Sequence, residues 1–136
     1  MDKLSVLIVD KSLDNNGVLA NASLVIGLSA GRLLPEDTFG AEAIDGDGSI
    51  HHPLTNQAHF VRKAGQSKMQ SLRKKFKESE GILVVDYIED AAPSDYQEYL
   101  DNLKTHSEED LSYRTLWVYG DKSVIEPLTK NLSRLS

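Results

Sequence analysis

The stretch that decides the fold is Leu4-Ser5-Val6-Leu7-Ile8-Val9-Asp10 followed, after a polar loop, by Gly17-Val18-Leu19-Ala20-Asn21-Ala22-Ser23-Leu24-Val25-Ile26-Gly27-Leu28-Ser29-Ala30-Gly31. Val6 to Val9 is a β-branched, leucine-rich run of strand length. Lys11 to Asn16 reads as the loop that follows it. The second run carries no charge, and it predicts a helix from Gly17 that stops at Gly31, which suits a C′ position. A helix apolar around most of its circumference is expected inside a protein, not on its surface. Its small residues Ala20, Ala22, Ser23 and Gly27 favour close approach to a sheet. Asn21 is its one strongly polar side chain, near the helix start and so near the carboxyl end of the preceding strand. In open α/β sheets, ligands bind at that rim.

Outward from this unit, strand-like and helix-like segments alternate. Leu34-Pro35-Glu36-Asp37 breaks the pattern, and Ala41 to Ile50 reads as a hairpin turning at Asp45-Gly46-Asp47-Gly48. Ala58 to Lys63 is a strand. Ser67 is the expected N-cap of a helix to about Glu80, with Met69, Leu72 and Phe76 on one face. Gly81 ends it, and Ile82-Leu83-Val84-Val85 is a buried strand closed by Asp86. Pro93-Ser94-Asp95 opens a helix with the stripe Tyr96, Tyr99, Leu100 and Leu103. Tyr113 to Tyr119 forms the last strand, Gly120 a break, and Ser123 to about Asn131 the last helix. The alternation therefore predicts an α/β fold, a sheet covered by helices on both faces, plus a small hairpin.

A length of 136 residues with 40% hydrophobic and 26% charged content fits one globular domain spanning residues 1–136. No run reaches the roughly 18 uncharged residues of a membrane span, and no signal peptide is visible. The chain has no cysteine, which excludes a disulfide framework, a thiolate metal site and a cysteine nucleophile. A cytoplasmic setting is the expectation, with no membrane partner and no cofactor implied. The net charge of −6 disfavours nucleic acid, yet residues 61–77 hold Arg62, Lys63, Lys68, Arg73, Lys74, Lys75 and Lys77 without an acid. That run reads as a solvated helix face; phosphate contact is its alternative. Glu78 to Asp110 is strongly acidic.

Several pieces together resemble a family. These are Val6-Leu7-Ile8-Val9-Asp10, Gly17-Val18-Leu19-Ala20-Asn21-Ala22, Asp45-Gly46-Asp47-Gly48, His52-Pro53-Leu54-Thr55-Asn56, and Tyr119-Gly120-Asp121-Lys122 with Val124, Leu128 and Thr129. The chain is similar to a "domain of unknown function" family that shares the fold of the class II peptidyl-tRNA hydrolases. The resemblance implies a three-layer α/β/α sandwich around a mixed sheet of about four strands, peptidyl-tRNA hydrolase II-like. Those hydrolases open their first helix with Gly-Lys-x-Ala-Ala-Gln, and here Val18 and Ala22 stand at the Lys and Gln positions. Asp86 matches the aspartate of their Asp-Ala-Gly-x-Thr pattern, but Tyr87, Ile88 and Asp90 replace its Ala, Gly and Thr. The resemblance supports the fold more than the activity.

Candidate chemistry follows from residue type and place. Asn21, if buried, needs partners for its amide; it either braces the helix or contacts a ligand. Asp10 and Asp86, each read as ending a strand, form a candidate carboxylate pair on one rim, or else cap loops. His51, His52 and His59 accompany Asp45 and Asp47, but their spacing matches no metal motif, and Ile50 and Asn56 break a calcium loop. No metal is expected. His52, before Pro53 in a loop that the resemblance places near the cleft, is the candidate general base. Gly27-Leu28-Ser29-Ala30-Gly31 has the nucleophile-elbow spelling, but its serine lies in a helical run instead of after a strand. The preferred reading is a small-ligand or partner-binding domain with a pocket bordered by Asn21, Asp86 and the His52–Asn56 loop. In it Asn21, Asp10 and Asn56 contact the ligand. The alternative is an esterase acting on peptidyl-tRNA or a related ester, with Asp86 or His52 as base. A homodimer is a further expectation, through the aromatic row Tyr113, Trp117 and Tyr119 should the last strand lie near an edge.

Overall fold

The computed structural model describes residues 2–91 and 95–135. Its elements run β1 (Lys3–Asp10), α1 (Asn16–Leu33), β2 (Ala43–Ile44), β3 (Ile50–His51), β4 (His59–Ala64), α2 (Gln66–Glu78), β5 (Leu83–Ile88), α3 (Tyr96–Leu103), β6 (Tyr113–Asp121), α4 (Lys122–Thr129) and β7 (Ser133–Arg134). The main sheet has five strands in the order β5-β6-β1-β4-β7, one more than expected, because the short β7 pairs with β4. It is mixed: β1 and β4 are parallel, and the other pairs are antiparallel. β2 and β3 form the separate hairpin. Pro93 and Ser94, read as the opening of α3, lie outside the described residues, and Asp95 caps that helix by accepting from Glu98 N at 2.8 Å.

Strand alternation divides the core in two. Val6, Ile8, Leu116 and Val118 face α2 and α4, where they meet Met69, Leu72, Phe76 and Ile125. Trp117 and Tyr119 face the opposite way and pack under Ile26 and Ala30 of α1. The Met69, Leu72 and Phe76 stripe is fully buried, as its helical spacing implies. α2 starts at Gln66, just before the expected Ser67 cap. The Gln66 side chain donates to Tyr113 O at 2.7 Å and accepts from Tyr113 N at 2.7 Å, which pins the helix start to β6. After α2, Gly81 takes φ +78°, a conformation open to glycine at no steric cost. Gly120 has a different cause: a Cβ there would lie 2.4 Å from Ile82 Cδ1 and 3.1 Å from Gly81 O.

Four expectations need correction. α1 does not stop at Gly31. It runs to Leu33, with Asn15 as N-cap, and ends where Pro35 forces Leu34 into extended backbone. Nor is α1 an interior helix. Only Ala22, Ile26 and Ala30 are buried, a single i, i+4, i+8 stripe on the sheet, while Leu24 and Leu28 are 60% and 69% exposed. β5 extends past Asp86 to Ile88, so Asp86 is mid-strand: it pairs with Leu116, which pairs with Ile8, whereas Asp10 closes β1. The two aspartates do not share a rim. Finally, β6 is central, and Tyr113, Trp117 and Tyr119 are all buried, with Tyr113 in the opposite cluster from the other two. That row offers no surface for a second copy.

Candidate functional site

β5 is an edge strand, and one of the openings of the structure lies on its flank, beside others of similar volume next to Asp2 and Lys122. Between α1 and α3 lies a cleft of about 380 Å³, lined by Val25, Ile26 and Ser29 of α1, Val85, Asp86 and Tyr87 of β5, and Asp95, Tyr96 and Tyr99. A volume in this range suits a small organic molecule. Local sequence explains the shape. The exposed side of α1 is apolar and short-chained at Ser29, so the helix leaves room at the strand edge. Asp95 caps α3 and thereby fixes Tyr96 and Tyr99 one helical turn apart.

The tyrosines form one assembly. Tyr96 and Tyr99 stack with ring centroids 5.9 Å apart and planes at 12°. Tyr87 meets Tyr99 edge-on, at 5.9 Å and 85°. The Tyr99 hydroxyl accepts a hydrogen bond from Ile88 N at 3.0 Å, covering an edge amide of β5. Burial is the main cause that raises the Tyr99 pKa above its ordinary value, so the phenol stays neutral at physiological pH. The Arg114 guanidinium sits 5.0 Å from the Tyr87 ring centroid and is bound by Glu89 at 2.6 Å.

Of the site residues read from the sequence, only Asp86 lines this cleft. Its Oδ2 accepts from Arg73 Nε at 3.2 Å across the strand–helix boundary with α2. Asp10 closes on its own loop, accepting from Ser12 N at 3.0 Å and Ser12 Oγ at 2.9 Å. Asn56 donates to Asp37 O at 3.1 Å and accepts from Gln57 Nε2 at 2.6 Å, holding the connection between α1 and β4. His52 is exposed beyond the hairpin. Asn21 is exposed too, contrary to the interior position expected for it. The pocket expected among Asn21, Asp86 and the His52–Asn56 loop is not the cleft seen here, because Asp86 lies mid-strand and Asn21 faces solvent. Replacing Asn21 with alanine is therefore expected to change stability by less than about 0.5 kcal/mol, as at other exposed helical positions. An unfolding free energy from urea denaturation more than that below the wild type would contradict its exposure.

The histidines have separate employments. His51 Nε2 is 2.9 Å from Asp45 Oδ2, and Asp45 also accepts from Asp47 N and Ser49 N inside the hairpin turn. His59 joins a chain of side chains instead. Trp117 Nε1 donates to Ser5 Oγ at 2.9 Å, Ser5 Oγ is 2.5 Å from His59 Nδ1, and His59 Nε2 is 2.9 Å from Thr55 Oγ1. Thr55 Oγ1 donates onward to Thr38 O at 3.0 Å. Burial lowers the His59 pKa and favours the neutral ring. Ser5 is 1% exposed, so this Ser–His pair cannot meet a substrate and is a brace. Among the described residues, no group of three or more His, Asp or Glu side chains gathers as a metal site. Ser29 sits inside α1, so the elbow spelling has no strand before its serine. Within the basic run, Arg73 and Lys77 both reach Glu108 at 3.2 Å.

Sequence reasoning missed the tyrosines as a site. It read Tyr96 and Tyr99 as part of one apolar helix stripe, and placed Tyr87 just past the end of a strand. The available signal was the i, i+3 pair of tyrosines beside an acidic cap, since a phenol pairs an apolar ring with a polar tip.

Over residues 3–135 the sequence matches a family described as "Protein of unknown function (DUF2000)". A solved protein of unknown function from Agrobacterium tumefaciens strain C58 has a similar structure, with a TM-score of 0.79 at 18% identity. The alignment covers 100% of this chain and 99% of that one, a likeness of fold. No curated protein matches. Among the described residues, no helix is long and apolar enough to cross a membrane.

Proposed function

The chain belongs to the DUF2000 family of proteins of unknown function, and on this fold we propose a small-ligand-binding domain whose site is the cleft between α1 and α3. The observation that carries this reading is the cleft itself: about 380 Å³, with Val25 and the tyrosine rings as its apolar lining and Ser29 and Asp95 as polar groups. Pockets that are mostly apolar with a few convergent polar groups are the usual form of a small-molecule site. Part of the same reading is that the scaffold is that of the class II peptidyl-tRNA hydrolases. It is supported by Gly17 in the first turn of α1 and by Gly120 near the end of β6, where a Cβ would crowd Ile82 Cδ1 and Gly81 O. Val18 and Ala22 in place of the hydrolase Lys and Gln, and an Asp86 engaged by Arg73, favour binding over ester cleavage.

The test is a fragment titration of the full chain, followed by amide chemical shifts and using neutral, cationic and anionic small molecules. Binding should move the signals of Ser29, Tyr87 and Tyr96 together. Ser29→Phe should abolish those shifts by filling the cleft, with little loss of stability because Ser29 is on the exposed side of α1. Absence of cleft shifts with every charge class would sink the proposal.

A further inference from the structure

We infer that the cleft selects an organic cation: an amine or quaternary ammonium group on an apolar body. This rests on the cleft being the ligand site and adds its chemical class. Three observations point the same way. The described lining contributes two carboxylates, Asp86 and Asp95, and no lysine, arginine or histidine. It includes three phenol rings, of which Tyr96 is 73% exposed; a phenol π-face carries the negative end of the ring quadrupole and attracts cations within about 6 Å. Tyr87 already holds the Arg114 guanidinium in that geometry, 5.0 Å from its centroid.

The surrounding charge has the same sign. Residues 78–110, which supply β5 and α3, contain eleven acids against Lys104 alone. The two arginines nearest the cleft are neutralised locally, Arg114 by Glu89 and Arg73 by Asp86 and Glu108. Asp86 is thus partly spent on Arg73. Asp95 uses one oxygen, Oδ1, to cap α3 and makes no ion pair among the described residues. A field of one sign over a concave, partly apolar surface raises the local concentration of the opposite charge. An anion would meet the Asp95 carboxylate and the Tyr96 ring, so it is disfavoured by the same groups. The body of the ligand lies against Val25, and the cationic head lies over the exposed Tyr96 ring beside Asp95.

The probes are choline and its uncharged isostere 3,3-dimethylbutan-1-ol, with benzyltrimethylammonium as a cation bearing a larger apolar body and benzoate as the anion. Titrated into the full chain by amide shifts, choline should bind at least tenfold more tightly than the isostere, and benzyltrimethylammonium more tightly than choline. Benzoate should not move the cleft signals. Tyr96 is 73% exposed and can be changed without disturbing the core. Tyr96→Ala should weaken choline at least tenfold, and Tyr96→Phe should restore it. Asp95→Asn keeps the helix cap and should weaken choline severalfold while leaving the isostere unchanged. Equal affinity for choline and its isostere, or choline binding indifferent to Tyr96→Ala, would overturn cation selection while leaving a ligand cleft. Failure of all four probes to reach the cleft would overturn both readings.

Discussion

Arg73→Met should destabilise the protein by about 2–4 kcal/mol, the largest effect expected of any single charge removal here. Arg73 Nε donates to Asp86 Oδ2 at 3.2 Å, with side chains 19% and 23% exposed. Removing the guanidinium leaves the Asp86 carboxylate, 23% exposed at the back of the cleft, without its ion-pair partner. Breaking a fully buried pair costs about 3–5 kcal/mol, and the residual exposure of both groups brings this case lower. Arg73 Nη1 also approaches Glu108 Oε2 at 3.2 Å, but Glu108 is 56% exposed and shares Lys77, so that half contributes little. Methionine keeps the apolar stem against the sheet, which isolates the charge from the packing. The check is urea denaturation with an unchanged slope. Asp86→Leu in the same chain should recover most of the loss, since apolar replacement of both partners removes the stranded charge. A single variant within about 0.5 kcal/mol of wild type would show that water reaches Asp86 freely.

This pair also shows why the sequence was legible up to a point. Val6–Val9 and Leu83–Val85 announce strands through β-branched runs, and Met69, Leu72 and Phe76 announce a buried helix face through their spacing. Those signals are local, and the structure keeps them. Asp86 is different. A charge after an apolar run reads as a strand end, because a lone carboxylate inside a sheet core is costly. What admits it mid-strand is Arg73, thirteen residues earlier in a basic run that reads as solvated surface. Only tertiary pairing joins them. β7 was invisible for a related reason: two residues carry no periodicity, and only the neighbouring β4 makes them a strand.

The candidate site divides along the same line. An uncharged helix such as α1 is compatible with burial on all sides, but composition does not say how many elements will cover it. The sheet covers one stripe, and the remainder, with Asn21, Leu24 and Leu28, faces outward. Asn21 consequently lacks the buried setting that would have made its amide informative. The tyrosine cleft arises where α1, β5 and α3 converge, and no one of the three segments carries its signature alone.

Ser5→Ala should cost about 1–3 kcal/mol, out of proportion to the single oxygen atom removed. Trp117 is 4% exposed, and its indole N–H donates to Ser5 Oγ at 2.9 Å. A hydroxyl that accepts there still has its own proton to give, and His59 Nδ1 lies 2.5 Å away. Alanine leaves the indole donor without a partner in a place water does not reach, and removes the hydrogen bond that holds the neutral His59 ring. Trp117 is the only tryptophan, so its fluorescence reports the change directly during unfolding. The network also sets a pH dependence. Burial lowers the His59 pKa in the folded chain, so on acidification the unfolded chain takes up this proton first. The contribution is complete above the unfolded value of about 6.5 and is lost as pH falls from there through the lower folded value. His59→Asn removes the titrating group, so the stability difference between wild type and this variant should be flat above about pH 7 and shift against the wild type below that. A difference that instead grows in favour of the wild type on acidification would mean that the folded ring is the better proton acceptor, and the Ser5 hydroxyl would then be accepting from His59 rather than donating to it.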